Sequence, residues 1–77
     1  MHVTHDPEVD AIYIRLCDVP YAFGHNLDAE RRIDYGDDQQ PLGIELLGVS
    51  HGVNVADLPD QAAVIAVLEQ RQIKTFA

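Results

Sequence analysis

The 77 residues are enough for one small domain with a thin core, predicted to span residues 1–77. Thirteen acidic and five basic residues give a formal net charge of −8, which argues against binding to nucleic acid or to an anionic membrane, because both attract basic surfaces. A single cysteine excludes an internal disulfide, and no apolar run approaches the ~20 residues of a membrane-spanning helix, so we expect a cytoplasmic protein.

The strongest pattern lies near the N-terminus, where a polar turn runs into a strand. Asp6-Pro7 is typical of a turn, because proline presets φ and aspartate bonds the amides that follow. Residues 11–17 alternate with period two, which predicts a strand with Ile12, Ile14 and Leu16 on its apolar face. Its second face carries Tyr13, Arg15 and Cys17. Residues 2–5 are expected to pair with it as a hairpin.

Three more strands are predicted before residue 50. A weak strand over 21–28, interrupted by Gly24, leads to a tight turn at 28–30 and a strand over 31–35. The turn cluster 36–41 then closes a hairpin onto residues 42–49. That last strand has apolar residues on both faces, which favours a central position in the sheet or a strand covered on both sides.

The C-terminal part predicts one helix, over residues 58–71, with Asp57 as its N-cap and Asp60 in its first turn. Its apolar stripe consists of Leu58, Ala62, Val64, Ile65, Val67 and Leu68. The predicted fold class is therefore α+β, an antiparallel β-meander of four to five strands with one C-terminal α-helix on one sheet face. The expected core is Leu16, Ile33, Ile44, Leu46 and Ile65.

Three segments together resemble a family of small prokaryotic proteins. They are residues 6–16, DPEVDAIYIRL, residues 33–35, IDY, and residues 42–47, LGIELL. The family is catalogued as domain of unknown function 2283, and the resemblance covers residues 1–50. It implies the fold and carries over no catalytic or binding residue. His5 stands where such proteins usually have tyrosine.

The acidic loop after residue 5 resembles the start of a calcium loop. Asp6, Glu8 and Asp10 alternate as the first three ligands would, but Ala11 and Cys17 stand where an EF-hand loop needs glycine and glutamate. The sequence therefore predicts a solvated turn in which Asp6 and Asp10 bond the backbone, and no metal site.

No other group of residues has the spacing of an active site. The histidines at 2, 5, 25 and 51 match no zinc pattern, and Cys17 beside Asp18 lacks the electropositive setting of a nucleophilic thiol. No Ser/His/Asp order, phosphate loop or nucleotide fingerprint is present, so no catalytic residue and no cofactor is predicted. The arginines at 15, 31 and 32 are expected to pair with Asp34 and Glu45 across strands.

The leading functional hypothesis is a non-enzymatic interaction module, acting through protein contacts and neutralising a basic partner as antitoxin-like proteins do. A homodimer is also expected, because one helix leaves one sheet face in water, and the sheet edge or the helix stripe could form its interface instead of that face. The candidate interaction face is Tyr13, Arg15, Leu47 and Val49. The alternative is a small enzyme or ligand-binding protein with a site across the homodimer interface, for which the ligand-site candidates are His5, Tyr13 and Arg15.

Overall fold

The structure is a computed structural model that describes residues 1–77, and it confirms the α+β class. One antiparallel sheet has five strands, and a short parallel pair and one helix follow it. The first five strands are β1 (His2–Asp6), β2 (Ala11–Arg15), β3 (Phe23–Asn26), β4 (Arg31–Tyr35) and β5 (Pro41–Leu47). After a single 3₁₀ turn at Val49–His51 come β6 (Val53–Asn54), α1 (Gln61–Gln70) and β7 (Thr75–Phe76).

The order of strands in the sheet is β1-β2-β5-β4-β3, with every neighbouring pair antiparallel. Strands β3, β4 and β5 pair in succession as a meander, and β1 and β2 form a hairpin. The two parts join where β5 lies between β4 and β2, so β5 is not at an edge of the sheet. The central position predicted for this strand is confirmed. Strand β5 is the most apolar of the five strands, and at the centre of the sheet it has a hydrogen-bonded neighbour on each side.

The core lies on one face of this sheet. Ile14 is opposite Ile44, which is in turn opposite Ile33, and all three are buried. Leu46, opposite Ile12, is buried as well. The main cluster is Ile12, Ile14, Ile44, Leu46, Val49, Val53, Val55, Leu58, Val64 and Leu68. The predicted Leu16 and Ile65 pack at its border and are only half-buried.

Helix α1 is shorter than predicted and is not capped by Asp57. It begins at Gln61, and its N-cap is Asp60, in the left-handed region at φ 50° and without a side-chain capping bond. Asp57 also has a positive φ, of 63°, and belongs to the preceding turn, which ends too early to cap the helix. Val64 and Leu68 are fully buried, whereas Ala62 on the predicted stripe is exposed because the helix touches the sheet along a narrow line.

The segments on either side of α1 are tied together as a small unit. The amides of Val53 and Val55 donate to the carbonyls of Lys74 and Phe76, both at 2.8 Å. Arg31 of β4 joins this unit to the sheet. Its Nη1 donates to the carbonyl oxygens of Asn54 at 3.0 Å and Ala56 at 2.7 Å. Its Nε donates to Asp28 Oδ2 at 2.9 Å.

The buried isoleucines of β2 and β5 should dominate the free energy of unfolding. Ile14→Ala and Ile44→Ala should each lower it by about 2–5 kcal/mol, because each leaves a cavity in a fully packed region. Chemical denaturation measures this. Leu47→Ala, on the exposed face of the same strand as Ile44, is the control and should change stability by about 0.5 kcal/mol or less. Midpoints equal to wild type for the isoleucine variants would place the core elsewhere.

Arg31 should be the most important charged residue for stability. Arg31→Met keeps the aliphatic stem but leaves the Asn54 and Ala56 carbonyls without their donor, so the free energy of unfolding should fall by about 1.5–3 kcal/mol. Arg71→Met, at the exposed end of α1, is the matched control and should be nearly neutral. Equal denaturation curves for both variants and wild type would show that the bonds from Arg31 to the two carbonyls do not contribute to stability.

Candidate functional site

The face of the sheet opposite the core is not covered by a helix. The only helix packs on the side of Ile14 and Ile44, since its buried residues join their cluster. Strand alternation and register place a second set of side chains on the other face, and these form the open face: Tyr13, Arg15, Arg32, Asp34, Glu45 and Leu47. Glu45 and Leu47 of the central strand are exposed there. A molecule that binds the open face therefore meets these side chains.

A hydrogen-bonded network occupies the middle of the open face. The hydroxyl of Tyr13 donates to Asp34 Oδ2 at 2.9 Å, and Arg32 Nε donates to Asp34 Oδ1 at 3.1 Å. Arg32 Nη2 also donates to the hydroxyl of Tyr21 at 2.8 Å. Both carboxylate oxygens of Asp34 are thus used. The network joins β2, β4 and the segment before β3, and it fixes the direction of every side chain in it.

Two glycines make room for this network. The ring of Tyr13 lies over Gly43 of β5, and a Cβ at that position would collide with the phenol. The guanidinium of Arg32 lies over Gly24 of β3 in the same way. The small residues in two strands are therefore the local reason that Tyr13 and Arg32 lie flat on the sheet and reach Asp34.

The environment of Tyr13 disfavours its ionised form. Partial burial, followed by the hydrogen bond and negative charge of Asp34, raises the pKa of Tyr13 from 10.0 to about 12. The neutral phenol is the form that donates to Asp34. The pair is therefore matched as an un-ionised donor and a carboxylate acceptor, which suits a structural or recognition role.

Tyr13→Phe should remove one ionisation near pH 12. The pKa of Tyr13 is raised in the folded state, so its contribution to stability is complete below pH 10 and is lost as pH rises to about 12. The difference in tyrosinate absorbance between wild type and Tyr13→Phe should titrate near pH 12. Between pH 10 and 12, the free energy of unfolding should also fall more for the wild type than for Tyr13→Phe. A difference curve centred at the ordinary value near 10 would contradict the network.

The arginines make other contacts than the predicted cross-strand pairs. Arg32 pairs with Asp34, but on its own strand. Arg15 donates from Nε to the carbonyl of Cys17 at 3.0 Å and from Nη2 to that of Val19 at 2.9 Å, and so holds the connection that leaves β2. Glu45 has no basic partner, because none of the three ion pairs in the structure includes it.

The predicted interaction face is only partly assembled. Tyr13, Arg15 and Leu47 share the open face, and Leu47 is 40% exposed. Val49 does not, since it is 2% exposed and belongs to the core. The alternation used to place it stops at Gly48, whose positive φ of 66° ends β5 and turns the chain into the 3₁₀ turn.

The predicted ligand-site residues do not meet in one site within a chain. His5 is paired with Ile12 across the hairpin, which puts its side chain on the face opposite Tyr13 and Arg15. Thr4 and His2 are the residues of β1 that stand opposite Tyr13 and Arg15. Within one chain, therefore, His5 lies on the other face from Tyr13 and Arg15, which the two strands read separately could not indicate, and the predicted site across a homodimer interface stays a prediction.

The carboxylates cluster at one end of the sheet. The strand register brings the loops 7–10, 27–30 and 48–52 to the same end, because β1, β3 and β5 finish where β2 and β4 begin. We call this the acidic end, and its carboxylates are Asp6, Glu8, Asp10, Asp28 and Glu30. Arg31 is the one arginine among them and already pairs with Asp28, while His5 and His51 lie near Asp10.

A shallow cleft opens at the acidic end beside Leu47. Its volume, counted out to open solvent, is about 280 Å³, and its lining includes Leu47, Phe76, Asp28, Glu30 and Arg31. Phe76 is 55% exposed. The amide of Leu47 donates to the carbonyl of Glu30 at 2.8 Å, which fixes the two residues side by side. Neither Glu30 nor Phe76 follows a periodic pattern that would have predicted it, since Glu30 precedes a strand and Phe76 lies in a two-residue strand.

The acidic loop bonds the protein itself, as predicted. Asp6 Oδ1 accepts from the amide of Glu8 at 3.1 Å. Asp10 accepts from the amide of Ser50 at 3.0 Å and from its hydroxyl at 2.6 Å, and these bonds hold the pKa of Asp10 below its usual range. Nowhere do three histidine, cysteine or carboxylate side chains converge to hold a metal ion. Cys17 is an exposed free thiol.

The fold and the open face define a small α+β domain whose sheet is covered on one side only. The model of the family described as protein of unknown function DUF2283 matches residues 2–50, and the chain belongs to this family. The matched region contains the whole five-stranded sheet, while α1 and the β6–β7 pair lie beyond it. Comparison with curated proteins and with solved structures finds no match in either group. The ten-residue α1 is too short to cross a membrane, and it is the only α-helix.

Proposed function

We propose that this protein is a non-enzymatic interaction module that binds a basic protein partner, in the manner of an antitoxin, through the acidic end of its open face. The observation that carries this proposal is the surroundings of Leu47. This exposed apolar side chain lies in a depression with two carboxylates, Glu30 and Glu45, that form no ion pair, although Arg31 and Arg32 also line it.

The charge balance supports a basic partner. Of the 13 acidic residues, only Asp18, Asp28 and Asp34 have an arginine within ion-pair distance, so ten carboxylates remain without one. A surface with one sign of charge accelerates encounter with the opposite sign and suppresses wrong partners. The acidic end concentrates that charge beside an apolar cleft, which is the arrangement that a basic segment would recognise.

The cleft also defines the chemistry of the segment that it would bind. Leu47 and Phe76 offer apolar surface, and Glu30 and Glu45 flank Leu47 along the open face. Glu45 and Leu47 are two residues apart on one strand, so roughly 7 Å separates their side chains. A matching partner presents an apolar anchor with a lysine or arginine on each side. Interface energy concentrates in such anchors, and the charges set specificity and rate.

The compartment proposed for this interaction is the cytoplasm. Cys17 is exposed and unpaired, a condition that a reducing environment preserves.

Charge reversal on the two flanking carboxylates tests the proposal. Affinity capture from the native host with Glu30→Lys/Glu45→Lys should lose a basic protein that the wild-type chain retains. The control is Glu69→Lys/Asp37→Lys, which changes the net charge equally at exposed positions on α1 and at the opposite end of the sheet, and it should retain that protein.

The partner identified in this way should then be measured against purified chains. Leu47→Ala should weaken binding by roughly 1 kcal/mol or more if it is the anchor, and added salt should weaken binding to the wild type. Equal loss with the two charge-reversal variants would mean that net charge alone attracts the partner. Retention by both variants would contradict the proposed site.

A further inference from the structure

The outer edge of β3 is unusual for this chain because its own residues carry no charge, and the one charge beside it is the guanidinium of Arg32 over Gly24. Residues 19–27 contain no aspartate, glutamate, lysine or arginine, although the chain as a whole has a net charge of −8. Strand β3 is an edge of the sheet, so its outer side has no neighbour within the chain. Natural edge strands are usually protected by charges, by proline or by a bulge. Pro20 precedes β3, and no such device lies within it.

The same edge exposes aromatic surface. Tyr21 is 54% exposed and Phe23 is 45% exposed. The ring of Phe23 is held in place by stacking on Tyr35, with 5.0 Å between ring centroids and 9° between their planes. A rigid, half-exposed aromatic ring beside unpaired backbone groups offers area to a second strand with little loss of side-chain freedom.

The backbone groups that point outward can be identified. The amide of Leu27 donates inward to the carbonyl of Arg31 at 2.8 Å. Backbone groups alternate between the two sides of a strand, so those of His25 and Phe23 also point toward β4. The groups of Gly24 and Asn26 therefore point to the free side.

We propose that the β3 edge is the interface between two copies of this chain, which pair antiparallel about a two-fold axis at His25. In that register Gly24 stands opposite Asn26 of the second copy, and the outward groups of these residues form four hydrogen bonds across the axis. Phe23, which is exposed in the single chain, then lies opposite the half-buried Leu27 of the second copy, and each such pair removes the exposed part of Phe23 from water.

A second copy fits this edge better than the basic partner proposed above. The edge has no carboxylate to attract a cation, and it is a four-residue strand edge along which two chains of −8 can meet without bringing acids together. Antiparallel pairing also sends the two acidic ends to opposite ends of the joined sheet. The other edge, β1, ends at Asp6 and adjoins Glu8. The inference does not depend on the proposed function.

Sedimentation equilibrium at micromolar concentration tests the inference. The wild-type chain should have twice the monomer mass of 8.6 kDa and should associate more tightly as salt is raised, because salt screens the repulsion between two acidic chains. Asn26→Pro removes one outward donor from each copy and none of the bonds to β4. It should weaken the dimer by roughly tenfold or more while the chain stays folded.

Phe23→Lys is the second variant and keeps the test decisive if the proline variant fails to fold. It places a cation on each side of the axis and removes the apolar contact, so it should also weaken the dimer. Leu47→Lys makes the same exchange at an exposed apolar residue away from the edge and should leave the dimer intact. A wild-type mass near 8.6 kDa at both low and physiological salt would overturn the inference, as would a wild-type affinity in folded Phe23→Lys.

Discussion

The structure depends on one constraint: the sheet has two faces and the chain has a single helix to cover them. The side chains of β5, the central strand, alternate between these two faces. Leu42, Ile44 and Leu46 are buried, whereas Glu45 and Leu47 remain exposed on the other side. The unit around α1 covers the first face, with Arg31 as the link between them. The second face stays in water, and its half-buried polar groups must satisfy one another, as Tyr13, Asp34 and Arg32 do.

Local patterns predicted the elements of this fold and the central position of β5, but not which strands pair with it. The alternation in β2 and β5 identified both apolar faces, because a period of two is a property of the strand alone. The position of β5 between β2 and β4 is decided by pairing between distant residues, for which a single strand carries no signal. The same limit applies where the backbone leaves the regular pattern. The positive φ of Gly48 buries Val49, and that of Asp60 delays the start of the helix.

The candidate site, like the fold, was predicted from the sequence only in part. Tyr13, Arg15 and Leu47 were placed on one face because each lies on a regular strand. His5 lies on the other face of the same chain, and this could not be predicted because its face depends on the hairpin register. The bond from Tyr13 to Asp34 spans 21 residues and crosses β5 above Gly43. It could have been found only from the registers of β2 and β4 against β5 together, in which Gly43 is directly opposite Asp34 and diagonal to Tyr13.

The two proposed surfaces depend on different interactions, which are pairing of strand edges for the dimer and charge attraction for the basic partner. This makes them compatible. A pairing of β3 edges about an axis perpendicular to the sheet keeps both open faces on the same side of a continuous ten-stranded sheet. Each copy then presents its own Glu30–Leu47–Glu45 surface, at opposite ends of the assembly. A partner with two basic segments gains from effective concentration if its segments span that distance. Salt should strengthen the uncharged edge contact between acidic chains and weaken the contact with the basic partner, so the two interactions can be separated by ionic strength alone.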